Sequence, residues 1–230
     1  MTELNTIAEQ TSFDIELHEA DKPLACLILG HGAGAGKEHE FMQDIAKELV
    51  ARGISTVLFN FPYMQTIKAT GKRRPPDKAD KLMSHFTAVI ETCSKDNKAL
   101  HNLPVFIGGK SMGGRMATMV YEAVSNVKGA IALGYPFHPP GKPEKTRTEH
   151  LQTASKPLLI IQGERDTFGT KSEVESYKKS GVLSSMIECA YLEDGDHSFK
   201  PRKASGKTQE EHIAKAATLT ASFIEANLNN

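Results

Sequence analysis

The chain has 230 residues, of which 39% are apolar, with 28 basic and 28 acidic side chains and a formal net charge of zero. That length suits one large domain, and the apolar fraction is enough for a buried core. Balanced charge argues against nucleic acid or a membrane surface as the main partner.

Residues 1–11 have neither the basic start nor the apolar stretch of a signal peptide and are read as a loosely ordered tail on a single domain spanning 1–230. SFDIELHE (12–19) alternates apolar and polar side chains, which predicts an exposed antiparallel edge strand. LACLILG (24–30) is a continuous apolar run and predicts a buried strand. The next segment places Met42, Ile45 and Leu49 at helical spacing, with Gly53 as its stop. ISTVLFN (54–60) predicts a second buried strand, and 60–76 reads as the loop after it. Leu82, Phe86, Val89 and Cys93 fall on one face of a helix over 77–95. PVFIGG (104–109) is a strand leading into a helix over 111–126. KGAIALG (128–134) and PLLIIQG (157–163) are further strands, 172–180 is a short helix, and SSMIECAYLE (184–193) is the last strand. A terminal helix covers about 208–227.

Strand–helix alternation over the whole chain predicts an α/β fold: a mostly parallel sheet with helices on both faces and no large lid. In such a sheet function gathers in loops at the carboxyl ends of the strands, here 30–38, 60–76, 109–112, 134–150, 163–171 and 193–200. No apolar run approaches the roughly 20 residues that span a bilayer. Cys26, Cys93 and Cys189 stand far apart, without a CxxC pair. Together these features predict a soluble, cytoplasmic protein with reduced thiols.

Chemistry concentrates at Gly109-Lys110-Ser111-Met112-Gly113, a G-x-S-x-G pattern between a strand and a helix. A sharp turn there strains the serine, and the flanking glycines remove Cβ atoms that would clash. The hydroxyl then projects at a helix N-terminus, where negative charge is favoured. Serine needs a base to become a nucleophile, and His197 follows the last strand. Asp166, after the fifth of the buried strands, is the candidate acid that fixes the imidazole, with Glu164 as its rival. Asp194 and Asp196 are weaker rivals, since carboxylates beside a loop histidine usually form turns. Gly30-His31-Gly32-Ala33-Gly34 supplies small residues for an oxyanion hole, with the backbone N–H groups of Ala33 and Met112 as candidate donors. His31 is expected to hold that loop.

Tyr63, Tyr135, Phe137 and His138 are candidate linings of an acyl pocket, or side chains closing the core beneath it. Arg73 and Arg74, with Lys68, Lys72, Lys142, Lys145 and Arg147, are either solvated surface charge or a cationic rim for an anionic acyl substrate. A dinucleotide site is not expected: where its acid would stand, the chain has Asn60 and Phe61. The histidines lack metal-ligand spacing, so no metal and no cofactor are expected.

HGAG, GKSMGG, GERD and GDHSF together resemble the α/β-hydrolase superfamily and its dienelactone-hydrolase-like branch. They are similar in particular to small hydrolases related to the testis-expressed hydrolase-like protein, as are FPYM (61–64) and RRPPD (73–77). The resemblance covers about residues 12–228. It implies a serine hydrolase of carboxylesterase or thioesterase type, cleaving a small acyl substrate through an acyl-enzyme. Dienelactone hydrolases use a cysteine nucleophile; position 111 is serine here, so their substrate is not implied. Some relatives in the group act as scaffold components, which leaves a non-catalytic interaction protein, or a small peptidase, as the alternatives.

Overall fold

The computed structural model describes residues 13–96 and 102–229. The expected N-terminal tail, 1–11, lies outside the described residues. The strands are β1 (Ile15–His18), β2 (Ala25–Gly30), β3 (Ile54–Phe59), β4 (Val105–Lys110), β5 (Val127–Leu133), β6 (Leu158–Gly163) and β7 (Ile187–Leu192). The helices are α1 (Glu40–Val50), α2 (Pro62–Thr70), α3 (Ala79–Asp96), α4 (Met112–Val120), α5 (Lys171–Lys179) and α6 (Gln209–Ala226). All seven strands form one sheet in the order β1-β3-β2-β4-β5-β6-β7. β1 pairs antiparallel with β3, and the other pairings are parallel.

Continuous apolar runs become central strands because both faces of the sheet are covered. Along β2, Cys26 and Ile28 pack on one face while Ala25, Leu27 and Leu29 pack on the other. The first face carries α2, α3, α4 and α5, through residues such as Tyr63, Phe86, Met116 and Val174. The second carries α1 and α6, through Phe41, Ile45, Ile213 and Phe223. Each of these large side chains, fully buried, contributes roughly 1.5–3 kcal/mol. Caps set the helix starts. The His39 ring accepts the Phe41 amide at 3.2 Å at the head of α1, and Thr208 with Glu211 forms a capping box on α6.

One difference from the sequence reading lies at 60–76, where a helix, α2, interrupts the expected loop. Pro62 begins it, and proline is favoured in the first turn because that amide has no helical partner. Gly71, at φ 67°, ends it. Lys68 therefore lies on a helix and pairs with Asp14 at 3.0 Å and Glu38 at 2.5 Å.

Topology locates the crevice. The chain leaves β2 over one face, through α1, to reach β3 on one side. It returns from β3 over the opposite face, through α2 and α3, to β4 on the other side. The strand order thus reverses at β2, and ligands bind beyond such switch points. There Gly30 and Gly109 lie side by side in register at the ends of β2 and β4. The segment between β5 and β6 has one short 3-10 turn, Glu149–Leu151, and sinks Tyr135, Phe137 and Leu151 into the core instead of forming a cap.

Candidate active site

Ser111 sits between β4 and α4 with φ 52° and ψ −112°, a conformation that L-residues rarely hold. It costs about 1–3 kcal/mol and persists where the surroundings over-determine it. Those surroundings are close-packed backbone. A Cβ on Gly113 would run into the Gly30 carbonyl, and one on Gly109 would meet the same carbonyl and the α4 backbone. The two glycines of the motif therefore let β4 and α4 approach β2, and the turn carries the strain at the serine between them.

The Oγ of Ser111 lies 2.9 Å from Nε2 of His197. Nδ1 of the same ring lies 2.8 Å from Oδ2 of Asp166. Asp166 is 0% exposed, so its carboxylate must be satisfied from within. Oδ1 accepts the Phe168 amide at 2.8 Å, and Oδ2 also accepts Nε2 of Gln162 at 2.9 Å. The Gln162 amide is held in turn by the carbonyls of Tyr135 and Gly169, at 3.1 and 3.0 Å. The rival acids are engaged elsewhere. Glu164 pairs with Lys171 at 2.8 Å and accepts the Asp194 amide at 3.1 Å. Asp194 binds Arg202 and Arg165, and Asp196 caps the amides of Ser198 and Lys200 at 2.8 and 2.9 Å. Asp194 and Phe199, at φ 55° and 66°, bend the 193–200 loop so that His197 faces Ser111.

The 31–36 loop faces the serine from β2. Gly32 is close enough that a Cβ there would stand 3.8 Å from Cβ of Ser111. Among the described residues, no hydrogen bond uses the amide of Ala33 or that of Met112, the first residue of α4. The loop is held from below. His31 donates through Nδ1 to the Gly32 carbonyl at 2.7 Å and accepts the Phe61 amide at Nε2 at 3.1 Å. Burial lowers its pKa to about 4, so the ring is neutral and able to do both. The Tyr63 hydroxyl donates to the Ala33 carbonyl at 2.9 Å.

A cleft of about 650 Å³ opens over these groups. Its walls include His39, Phe41, Met42, Phe168, Lys200 and Gln209. Of the two readings the sequence leaves open for its loop aromatics and His138, the structure agrees with the second, closure of the core, and not with pocket lining. Tyr63, Tyr135 and Phe137 are 0% exposed and His138 is 3% exposed, so they support the loops from inside and do not line the cleft. An aromatic next to a loop looks the same in sequence whether it faces in or out. Arg73 and Arg74 are exposed and absent from the cleft wall, and Arg74 pairs with Asp77 at 3.3 Å. The cationic groups on the cleft are Lys110 and Lys200 instead.

Lys110, Gln162 and Phe168 were not singled out in the sequence. The Phe168 ring covers His197, with centroids 4.2 Å apart. Lys110, the residue before the serine, is 8% exposed. Its ammonium lies over the rings of Phe41 and Phe199 at 5.5 and 5.7 Å. It donates to the His197 carbonyl at 2.6 Å, tying the base's loop to the strand that carries the serine. Burial lowers its pKa to about 8, against the attraction of Asp166 and Asp196. Between about 8 and the ordinary 10.5 the unfolded chain holds more protons than the folded one, so this group's contribution to stability rises with pH. The stability of the protein relative to its Lys110→Met variant is therefore expected to grow as pH is raised through that window. Urea unfolding of both proteins at pH 7.5 and pH 10 measures it, and a constant difference would show that Lys110 titrates normally.

A family model described as alpha/beta hydrolase domain matches residues 23–225. The fold is similar to that of a dienelactone hydrolase from Anabaena variabilis, at 18% identity and a TM-score of 0.71, with 96% of this chain and 94% of that one covered. It is also similar to an α/β serine hydrolase without lid from Xanthomonas campestris, at 16% identity and a TM-score of 0.68, with 95% and 90% covered. A third likeness is to Est1E from Butyrivibrio proteoclasticus, a structure with ferulic acid bound, at 14% identity and a TM-score of 0.67, with 95% and 96% covered.

Proposed function

The chain belongs to the alpha/beta hydrolase domain family, and on that footing we propose that it is a serine hydrolase cleaving carboxylic esters or thioesters through an acyl-enzyme. The observation that carries the reading is the strained serine, φ 52°, with an imidazole nitrogen 2.9 Å from its hydroxyl. Strain is kept at Ser111 and the base is in hydrogen-bond reach, which is the geometry nucleophilic attack requires.

In this mechanism Ser111 Oγ attacks the acyl carbonyl while His197 Nε2 takes its proton. Asp166 accepts a hydrogen bond from Nδ1–H, holds the tautomer and stabilises the imidazolium without taking its proton. The amides of Ala33 and Met112 receive the oxyanion, with the positive end of the α4 dipole behind Met112. His197 then returns the proton to the departing alcohol or thiol, and water repeats the sequence to free the acid. Every proton moves between groups already named, so the steps need no cofactor. The three cysteines are free and support a reducing, cytoplasmic compartment. No helix among the described residues is long and apolar enough to cross a membrane.

A fluorophosphonate probe tests the reading. Intact-mass measurement is expected to show one adduct per chain, and peptide mapping is expected to place it on Ser111. A folded protein that stays unlabelled where a control serine hydrolase reacts fully would overturn the proposal.

A further inference from the structure

Four arginines, Arg52, Arg74, Arg165 and Arg202, each pair with a carboxylate. Arg115 and Arg147 pair with none among the described residues, and both are partly buried. Arg115 lies one turn beyond Ser111 on α4, its amide bonded to the Ser111 carbonyl at 3.0 Å. Its guanidinium meets the hydroxyl of Tyr135, two residues past β5, and so lies on the side of α4 that faces the 134–150 segment. Its Nε is buried and has no hydrogen-bond partner.

The Arg115 guanidinium meets in Tyr135 a neutral partner that does not offset its charge. The Tyr135 hydroxyl donates to the Arg147 carbonyl at 2.7 Å and fixes that residue's backbone. Thr118 donates to the Arg115 carbonyl at 2.8 Å, so at 3.0 Å from Nε2 of His150 its oxygen is left to accept. Burial and then the Arg115 charge lower the pKa of both Arg147 and His150, the latter to about 4. Two guanidinium groups close enough to feel each other, half withdrawn from water and without a counter-charge, are costly unless an anion joins them. Their planar forks match a carboxylate or phosphate.

We propose that Arg115 and Arg147 form an oxyanion-binding subsite beside the serine, which takes a carboxylate or phosphate group carried on the substrate. Its link to substrate rests on the reading of Ser111 as the nucleophile. Its anion binding does not. Neither arginine is on the wall of the cleft of about 650 Å³; Arg115 follows Ser111 by one turn, about 5–6 Å between Cβ atoms, so a group that reaches the pair from the serine would end a short acyl chain, as in a hemiester of a short dicarboxylic acid. Of the basic residues read from the sequence as a candidate cationic rim, Arg147 takes part in this subsite, and the exposed residues of 68–74 are not needed for it.

The test separates the two parts. Full-length Ser111→Ala protein, which cannot turn substrate over, is titrated calorimetrically with glutarate and with inorganic phosphate at fixed ionic strength. Saturable binding of at least one anion is expected, weakened at least about tenfold by adding Arg115→Gln or Arg147→Gln, the loss of one charged hydrogen-bonding fork. Glutarate binding alone identifies a carboxylate subsite, and phosphate binding alone a phosphate subsite. Lys142→Gln, on an exposed lysine of the same segment, is expected to leave binding unchanged. Arg115→Lys keeps the charge without the fork, is expected to bind more weakly than the parent, and serves if the glutamine variant fails to fold. With Ser111 intact, a 4-nitrophenyl hemiglutarate is expected to exceed the neutral butyrate at least about tenfold in kcat/KM, a preference that Arg147→Gln narrows. Absence of saturable binding by either anion, or binding that neither arginine variant weakens, overturns the subsite. Failure of fluorophosphonate labelling with anion binding intact overturns the hydrolase reading and leaves the subsite standing.

Discussion

Replacing Ser111 with alanine is expected to lower kcat toward an activated ester by about five to six orders of magnitude, with the fold retained. The serine supplies the bond-forming oxygen, and a methyl group cannot. What survives should be the small acceleration that the oxyanion donors and binding give to attack by water. The backbone adds a second readout. Ser111 holds φ 52°, which alanine must also hold, whereas glycine can adopt it freely. Ser111→Gly is therefore expected to be more stable than Ser111→Ala, by about 1 kcal/mol in urea unfolding, and equally inactive. Activity above a tenth of the parent in either variant would remove the nucleophile from Ser111. Equal stability of the two would mean that the turn relaxes when the hydroxyl is gone.

The sheet was legible because burial on both faces writes itself as uninterrupted apolar runs, and β2, β3, β5 and β6 lie within one residue of those runs at either end. α2 was not legible. Pro62 and the basic residues after it read as a loop, and the helix is stabilised by contacts distant in sequence: Lys68 to Asp14 and Glu38, and Tyr63 to the Ala33 carbonyl. The meeting of Ser111 with His197 was legible because a strained turn demands glycines at fixed spacing and because His197 follows the last strand. The sequence reading names Asp166 over Glu164 but leaves Glu164 as a rival, since both follow β6 within three residues. The choice is made in space, by Gln162 and the Phe168 amide holding one carboxylate inward while Lys171 draws the other outward. Pocket lining was the least legible part, because Tyr135 and Phe137 carry the same sequence signature as cleft aromatics while lying at 0% exposure.

That division between the two carboxylates leads to the second large effect. Asp166→Asn is expected to lower kcat by about three to four orders of magnitude, near 4–5 kcal/mol, with KM little changed. The reason is tautomeric. Oδ1 accepts the Phe168 amide, so an asparagine keeping that bond would present its NH2 where Oδ2 now faces Nδ1 of His197 and Nε2 of Gln162. Nδ1 would then have to accept, the ring proton would move to Nε2, and Nε2 could no longer take a proton from Ser111. The same NH2 would confront a donor at Gln162, so a stability loss of about 1–3 kcal/mol is expected as well. Glu164→Gln breaks a pair with Lys171, whose side chain is 49% exposed, and a solvent-screened pair of this kind adds little to stability. Its kcat is expected to stay within about twofold of the parent, since Glu164 touches neither His197 nor Ser111. Steady-state kinetics on the two variants, with urea unfolding beside them, gives the ranking directly. A larger loss in the Gln variant than in the Asn variant would reassign the acid to Glu164 and require the β6 loop to rearrange when substrate binds.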